Sequence, residues 1–117
     1  MKRRWIMMKF ILNESLAMLG TKNVVIGIAK NVDPHAPLPA SFLKKQKEME
    51  KWALNCDIDE VSDTPVIQGY KDLLQSVGRS VKKNPPTVLA LIRNIRHRGS
   101  IPNINSIIDI YNVESLH

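Results

Sequence analysis

Apolar residues along this chain follow two different patterns, and each pattern predicts a different kind of element. Between residues 65 and 77 they fall at Val66, Ile67, Tyr70, Leu73, Leu74 and Val77, three and four apart, which predicts an amphipathic helix. Pro65 suits a first helical position, Thr64 or Asp63 stands before it as N-cap, and Gly78 is the stop. The same order recurs in "NPPTVLALIRNIRHRG". Asn84 is the cap, Pro85 and Pro86 open the helix, Val88, Leu91, Ile92 and Ile95 form the stripe, and Gly99 ends it, for a helix over 85–98. "PASFLKKQKEMEKWALN" (39–55) places Phe42, Met49, Trp52 and Ala53 on one side and mixed charge on the other, a third amphipathic helix. "SIPNIN" connects to a fourth helix over 104–117, rich in isoleucine.

Two stretches break the helical period. "NVVIGIA" (23–29) is a continuous β-branched run bounded by polar residues, the pattern of a strand buried on both faces. "MKFIL" (8–12) reads as a second, short strand. "NESLAMLG" between them predicts one or two helical turns from an Asn13 cap to a Gly20 stop. "NVDPHAPLPA" is a loop, because Pro34, Pro37 and Pro39 fix φ and remove donors. "CDIDEVSDT" reads as an acidic loop and "RSVKKN" as a basic one. The sum is an α+β fold in which about two strands pack with about four helices. Two strands do not make a sheet by themselves. The pattern therefore predicts an incomplete domain over 8–117, whose sheet is completed by self-association or by a partner chain, with 1–7 as a flexible extension.

Composition narrows the class. At 117 residues and 44% hydrophobic, the chain has the makings of one globular core. Cys56 is the sole cysteine, which excludes an intramolecular disulfide and a cysteine-based zinc site and points to a reducing, cytoplasmic setting. "MKRRWIMMKFIL" starts like a signal peptide, but Lys9 interrupts the apolar run and no small-residue cleavage site follows. Met8 is an alternative start. No stretch reaches the ~20 apolar residues of a membrane helix, so no membrane partner is expected.

Charge changes the picture more than composition does. The net charge is +6, and residues 73–108 carry Arg79, Lys82, Lys83, Arg93, Arg96 and Arg98 with no acid. Such a segment invites a polyanion, with RNA the first candidate, and Lys82, Lys83, Arg93, Arg96 and Arg98 are the candidate RNA-binding residues. A solvated helix face, with cations favoured near a helix C-terminus by its dipole, is the other reading of the same residues. Few aromatics interleave with them to stack on unpaired bases.

No self-contained catalytic set is visible. The chain lacks a Gly-rich phosphate loop, HExxH and GxSxG, and its histidines, His35, His97 and His117, lie in three separate segments. No metal or cofactor is expected. The last helix carries one polar stripe, Asn105, Asp109 and Asn112, at i, i+4 and i+7. These groups can position a substrate and a water; they can equally cap the helix and satisfy buried backbone.

"PPTVLALIRNIRHRGSIPNINSIIDIYNVESLH" resembles the editing and tRNA-binding domain of the phenylalanyl-tRNA synthetase beta chain, the B-three/B-four domain, in its free-standing form. The shared pattern is a basic amphipathic helix, Gly99, then Ile104-Asn105, Ile108-Asp109 and Tyr111-Asn112. "KNVVIGIAKNVD" and the helix 65–77 are similar to the earlier part of the family, so the resemblance covers about 8–117, most densely in 84–117. It implies an α+β fold, tRNA as partner, and aminoacyl-tRNA deacylation, the hydrolysis of mischarged tRNA. It also implies a substrate pocket in which Tyr111 and Asn112 bind and Asn105 and Asp109 orient. The family's second half, with further strands and pocket residues, has no counterpart in this sequence, which implies only the N-terminal part of such a domain.

Overall fold

The computed structural model describes residues 8–117, and the extension predicted over 1–7 lies outside them. Among the described residues six helices follow one another: α1 (Glu14–Met18), α2 (Ala40–Asn55), α3 (Ile58–Ser62), α4 (Pro65–Ser76), α5 (Thr87–Arg98) and α6 (Ser106–Leu116). There is no strand among the described residues. The α+β fold with a two-stranded sheet, expected from the pattern and implied by the resemblance, is therefore corrected to an all-helical one.

The reason lies in pairing. A strand is stabilised by hydrogen bonds to a neighbour and by a covered face. Segments 8–12 and 23–29 share no backbone hydrogen bond, and among the described residues every other long apolar stretch is helical. Val24, Val25, Ile26 and Ile28 are all exposed, Val25 at 96%. The β-branched run is thus an uncovered chain segment, not a buried strand. It approaches the helices only past its end, where Ser106 donates from its backbone N to Pro34 O (3.0 Å) and from Oγ to Asp33 O and Pro34 O (3.1 and 2.8 Å).

Local signals account for the helix ends. Asn13 Oδ1 accepts from Ser15 N at 3.1 Å and opens α1. Gly20, Gly78 and Gly99 have φ of 84°, 75° and 87°, a left-handed turn that a side chain disfavours, and all three follow helices as predicted. The starts of α5 and α6 and the loop before α4 differ, and α6 begins at Ser106, two residues after the expected 104, behind its Asn105 cap. α5 begins at Thr87 with Pro86 as cap, two residues later than expected, because each proline pushes the residue before it out of the helical region. The acidic "loop" contains α3, since Asp57 Oδ1 accepts from Asp59 N (2.9 Å) and Glu60 N (3.3 Å), and Asp59 and Glu60 favour a helix N-terminus.

The core is where α2, α5 and α6 meet. Ala53 from α2, Leu91, Ile92 and Ile95 from α5, and Val113 and Leu116 from α6 close around Ile101 of the connector. Phe42 and Met49 line its edge, and α3 adds Ile58 and Val61. Lys45 Nζ reaches Glu114 Oε1 at 2.6 Å, joining α2 to α6, and the hydrogen bond from that lysine holds the Glu114 carboxyl below the usual glutamate range. α4 rests on α3 alone and buries only Ile67. The radius of gyration is 17.7 Å. A compact chain of this length has about 13 Å, and the difference reflects the uncovered N-terminal segment and the peripheral α4.

Candidate nucleic-acid interface

Ser80 builds the loop that carries the first pair of cations. Its carbonyl accepts from Asn84 N (3.0 Å) and Asn84 Nδ2 (3.1 Å), and its Oγ accepts from Lys83 N (3.4 Å). The turn closes on itself, and Lys82 and Lys83 stand exposed at its tip, just before α5.

On α5 the apolar stripe Leu91, Ile92 and Ile95 is buried, which leaves the other side to solvent. Arg93 and His97, one turn apart, are exposed there, and Arg98 is exposed in the last turn. A helix of 12 residues is about 18 Å long, so Arg93 in its middle and Arg98 in its last turn are spread along α5, with Lys82 and Lys83 in the loop before it. The only ion pair among the described residues is Lys45–Glu114, so Arg79, Lys82, Lys83, Arg93 and Arg98 meet no carboxylate.

Arg96 is different. Its Nε donates to Ala53 O at 3.0 Å and its Nη2 to Cys56 O, with Cys56 Sγ 3.6 Å away. These carbonyls close α2, and Ala53 O also accepts from Cys56 Sγ at 3.6 Å. Arg96 is thus a clasp between α5 and the end of α2, and its side chain is held there instead of facing outward with Arg93.

Beside that clasp is an open groove of about 390 Å³ lined by Glu48, Lys51, Trp52, Asn55 and Cys56. Trp52 is exposed at its rim. The periodicity of α2 put Trp52 in the core stripe with Ala53, and nothing in the sequence distinguishes the buried member of the pair from the exposed one. Packing did: Ala53 fits against α5, and the larger indole remains outside.

The terminal stripe is placed as follows. Asn105 is the N-cap of α6, its Oδ1 accepting from Ile108 N at 3.0 Å. Asp109 is buried, and its Oδ1 accepts from Ile104 N at 3.0 Å, tying the connector to the first turn. Asn112 is half-buried with no side-chain hydrogen bond among the described residues, and Tyr111 is exposed. The four do not converge. Neither the groove at Trp52 nor a second concavity of about 270 Å³, lined by residues between Leu12 and Val24, includes any of them. No group of three or more His, Cys, Asp or Glu residues among those described is placed to hold a metal ion.

Comparison with family models, with curated proteins and with solved structures finds no match to this chain. Among the described residues, no helix is long and apolar enough to cross a membrane.

Proposed function

We propose that this chain is a non-enzymatic RNA-binding module whose contact surface is the basic ridge from Arg79 to Arg98. The observation that carries the reading is the run 73–108, with six cations and no acid, five of them exposed and unpaired among the described residues. Unpaired cations along a ridge suit phosphates, which bind by charge and release counterions. Trp52, at the rim of the neighbouring groove, offers a surface on which an unpaired base can stack. Transfer RNA is the first RNA to try, because the resemblance of residues 84–117 implies it. A cytoplasmic location goes with this reading.

Hydrolysis of aminoacyl-tRNA is not part of the proposal. Asn105 and Asp109 commit acceptor oxygens to backbone N–H groups of their own helix and connector. A hydrolytic site needs a positioned water beside donors for the developing oxyanion.

The test is fluorescence anisotropy with labelled tRNA and with an unstructured RNA, titrated across salt. Five phosphate contacts give a slope of log K against log salt of about −3.5, a loss of about 100-fold between 50 and 200 mM. The pair Arg93→Glu and Arg98→Glu removes two contacts, so the slope should fall in magnitude by about 1.4. Salt-insensitive binding, or equal binding by the double variant, rules the ridge out.

A further inference from the structure

No residue of 8–32 belongs to the core, and the apolar side chains of this stretch face solvent. Phe10, Ile11 and Leu12 are exposed in succession, Ile11 at 78%. Val24, Val25 and Ile26 are exposed in the same way. Only Leu16 and Thr21 in the whole stretch are half-buried. Contiguous apolar exposure of this kind marks a surface that meets a partner or a membrane.

The same stretch is basic. Residues 1–32 hold Lys2, Arg3, Arg4, Lys9, Lys22 and Lys30 and a single acid, Glu14. Lys9, Lys22 and Lys30 are exposed and meet no carboxylate among the described residues. Their positions follow the apolar runs. Lys9 precedes the first run, and Lys22 and Lys30 bracket 23–29, one at each end. A lysine at the end of an apolar run lays its stem along the apolar surface and keeps its ammonium group in the polar layer.

The order of the exposed residues selects the partner. A protein surface that faces an extended chain from one side covers alternate side chains. Here neighbours are exposed together, so whatever covers them receives side chains from both sides of the chain. An acyl layer does so. RNA offers phosphates to the lysines but no apolar medium to valine and isoleucine, and Phe10 is the one aromatic residue of 8–32 that can stack on a base. The lysines then select anionic headgroups.

The expectation of no membrane partner rests on the length that a span needs, and no described helix is long and apolar enough to cross. Lying in the surface has no such requirement. Backbone groups without partners do not enter hydrocarbon. An arm whose segment 23–29 makes no backbone hydrogen bond therefore stays at the headgroup boundary, where water reaches it.

We infer that residues 8–32 are a membrane-surface arm, which seats its apolar side chains at the headgroup boundary of an anionic bilayer with Lys9, Lys22 and Lys30 against the headgroups. The arm is independent of the RNA reading, since no residue of the ridge lies in it.

Flotation of the full chain with lipid vesicles tests this. The chain should float with vesicles of phosphatidylcholine and phosphatidylserine, and far less with phosphatidylcholine alone. Each Lys or Arg near such a surface strengthens binding about five-fold, so Lys22→Glu with Lys30→Glu should weaken it by at least about 25-fold. Val25→Asp with Ile28→Asp, both at exposed positions, should abolish flotation and leave the helical circular dichroism unchanged. Arg93→Glu with Arg98→Glu should still float. Position is read by an environment-sensitive fluorophore in a Cys56→Ser background. Attached to Val25→Cys it should shift to the blue on adding anionic vesicles, and attached to Val66→Cys of α4 it should not. Failure to float with anionic vesicles, undiminished flotation by either arm variant, loss of flotation by the ridge variant, or a shift at Val66→Cys and not at Val25→Cys would each overturn the inference. So would a lysine variant that loses RNA and still floats, which would make the arm an RNA contact.

Discussion

Asp109 and Arg96 show how a single side chain can carry a role that its neighbours in sequence do not reveal. A carboxylate on an isoleucine-rich helix and an arginine on a basic helix both suggest contact with a ligand. In the fold each satisfies backbone. Asp109 accepts from Ile104 N, and Arg96 donates to the carbonyls that end α2. Removing a partner of a partly buried N–H costs about 1–3 kcal/mol. Asp109→Ala should therefore lower stability by about that amount in urea unfolding, and Asp109→Asn, which keeps an acceptor, should lower it by less. Neither change should alter the salt slope of RNA binding. An unchanged midpoint for Asp109→Ala would return Asp109 to the list of free site groups. Asn112 is the member of the stripe that the fold leaves without a hydrogen-bond partner among the described residues, and Tyr111 stays exposed beside it.

At the scale of elements, helix boundaries were legible because their causes are local. Left-handed glycines after α1, α4 and α5, the Asn13 and Asn105 caps and Pro65 at the start of α4 all act within a few residues. Strands have no such local cause. The run 23–29 has high β-propensity, yet a strand exists only if another edge lies beside it. A single substitution separates the two accounts. Were Val25 in a strand buried on both faces, Val25→Asp would cost several kcal/mol. Exposed as it is, the change should alter the unfolding free energy by no more than about 0.5 kcal/mol. Segments this apolar and this uncovered also favour association between chains, so the same variant should reduce aggregation on storage.

The whole molecule rests on a small core. Ile92, Ile95 and Val113 are completely buried, and most other large apolar side chains keep some exposure. Truncating such a residue costs about 2–5 kcal/mol, against a typical total of about 5–15 kcal/mol for a domain. Ile92→Ala should therefore broaden or abolish the cooperative thermal transition followed by circular dichroism, whereas Val66→Ala on the exposed side of α4 should not. Full retention of the transition by Ile92→Ala would mean that stability resides outside the junction of α2, α5 and α6.

By itself the sequence determined the four long helices, most of their ends, the apolar stripe of α5 and the acid-free basic segment. Each of these depends on residues close together in the chain. The tertiary structure alone decided which apolar faces are covered. It separated Ala53 from Trp52 on α2 and divided the single apolar arc of α4 into an inward side and an open one. It left 23–29 without the sheet its composition suggested, and it set Arg96, Asn105 and Asp109 in hydrogen bonds to backbone groups. Burial and pairing are relations between distant segments, and helical period or β-propensity states only what a segment can offer, not what lies opposite it.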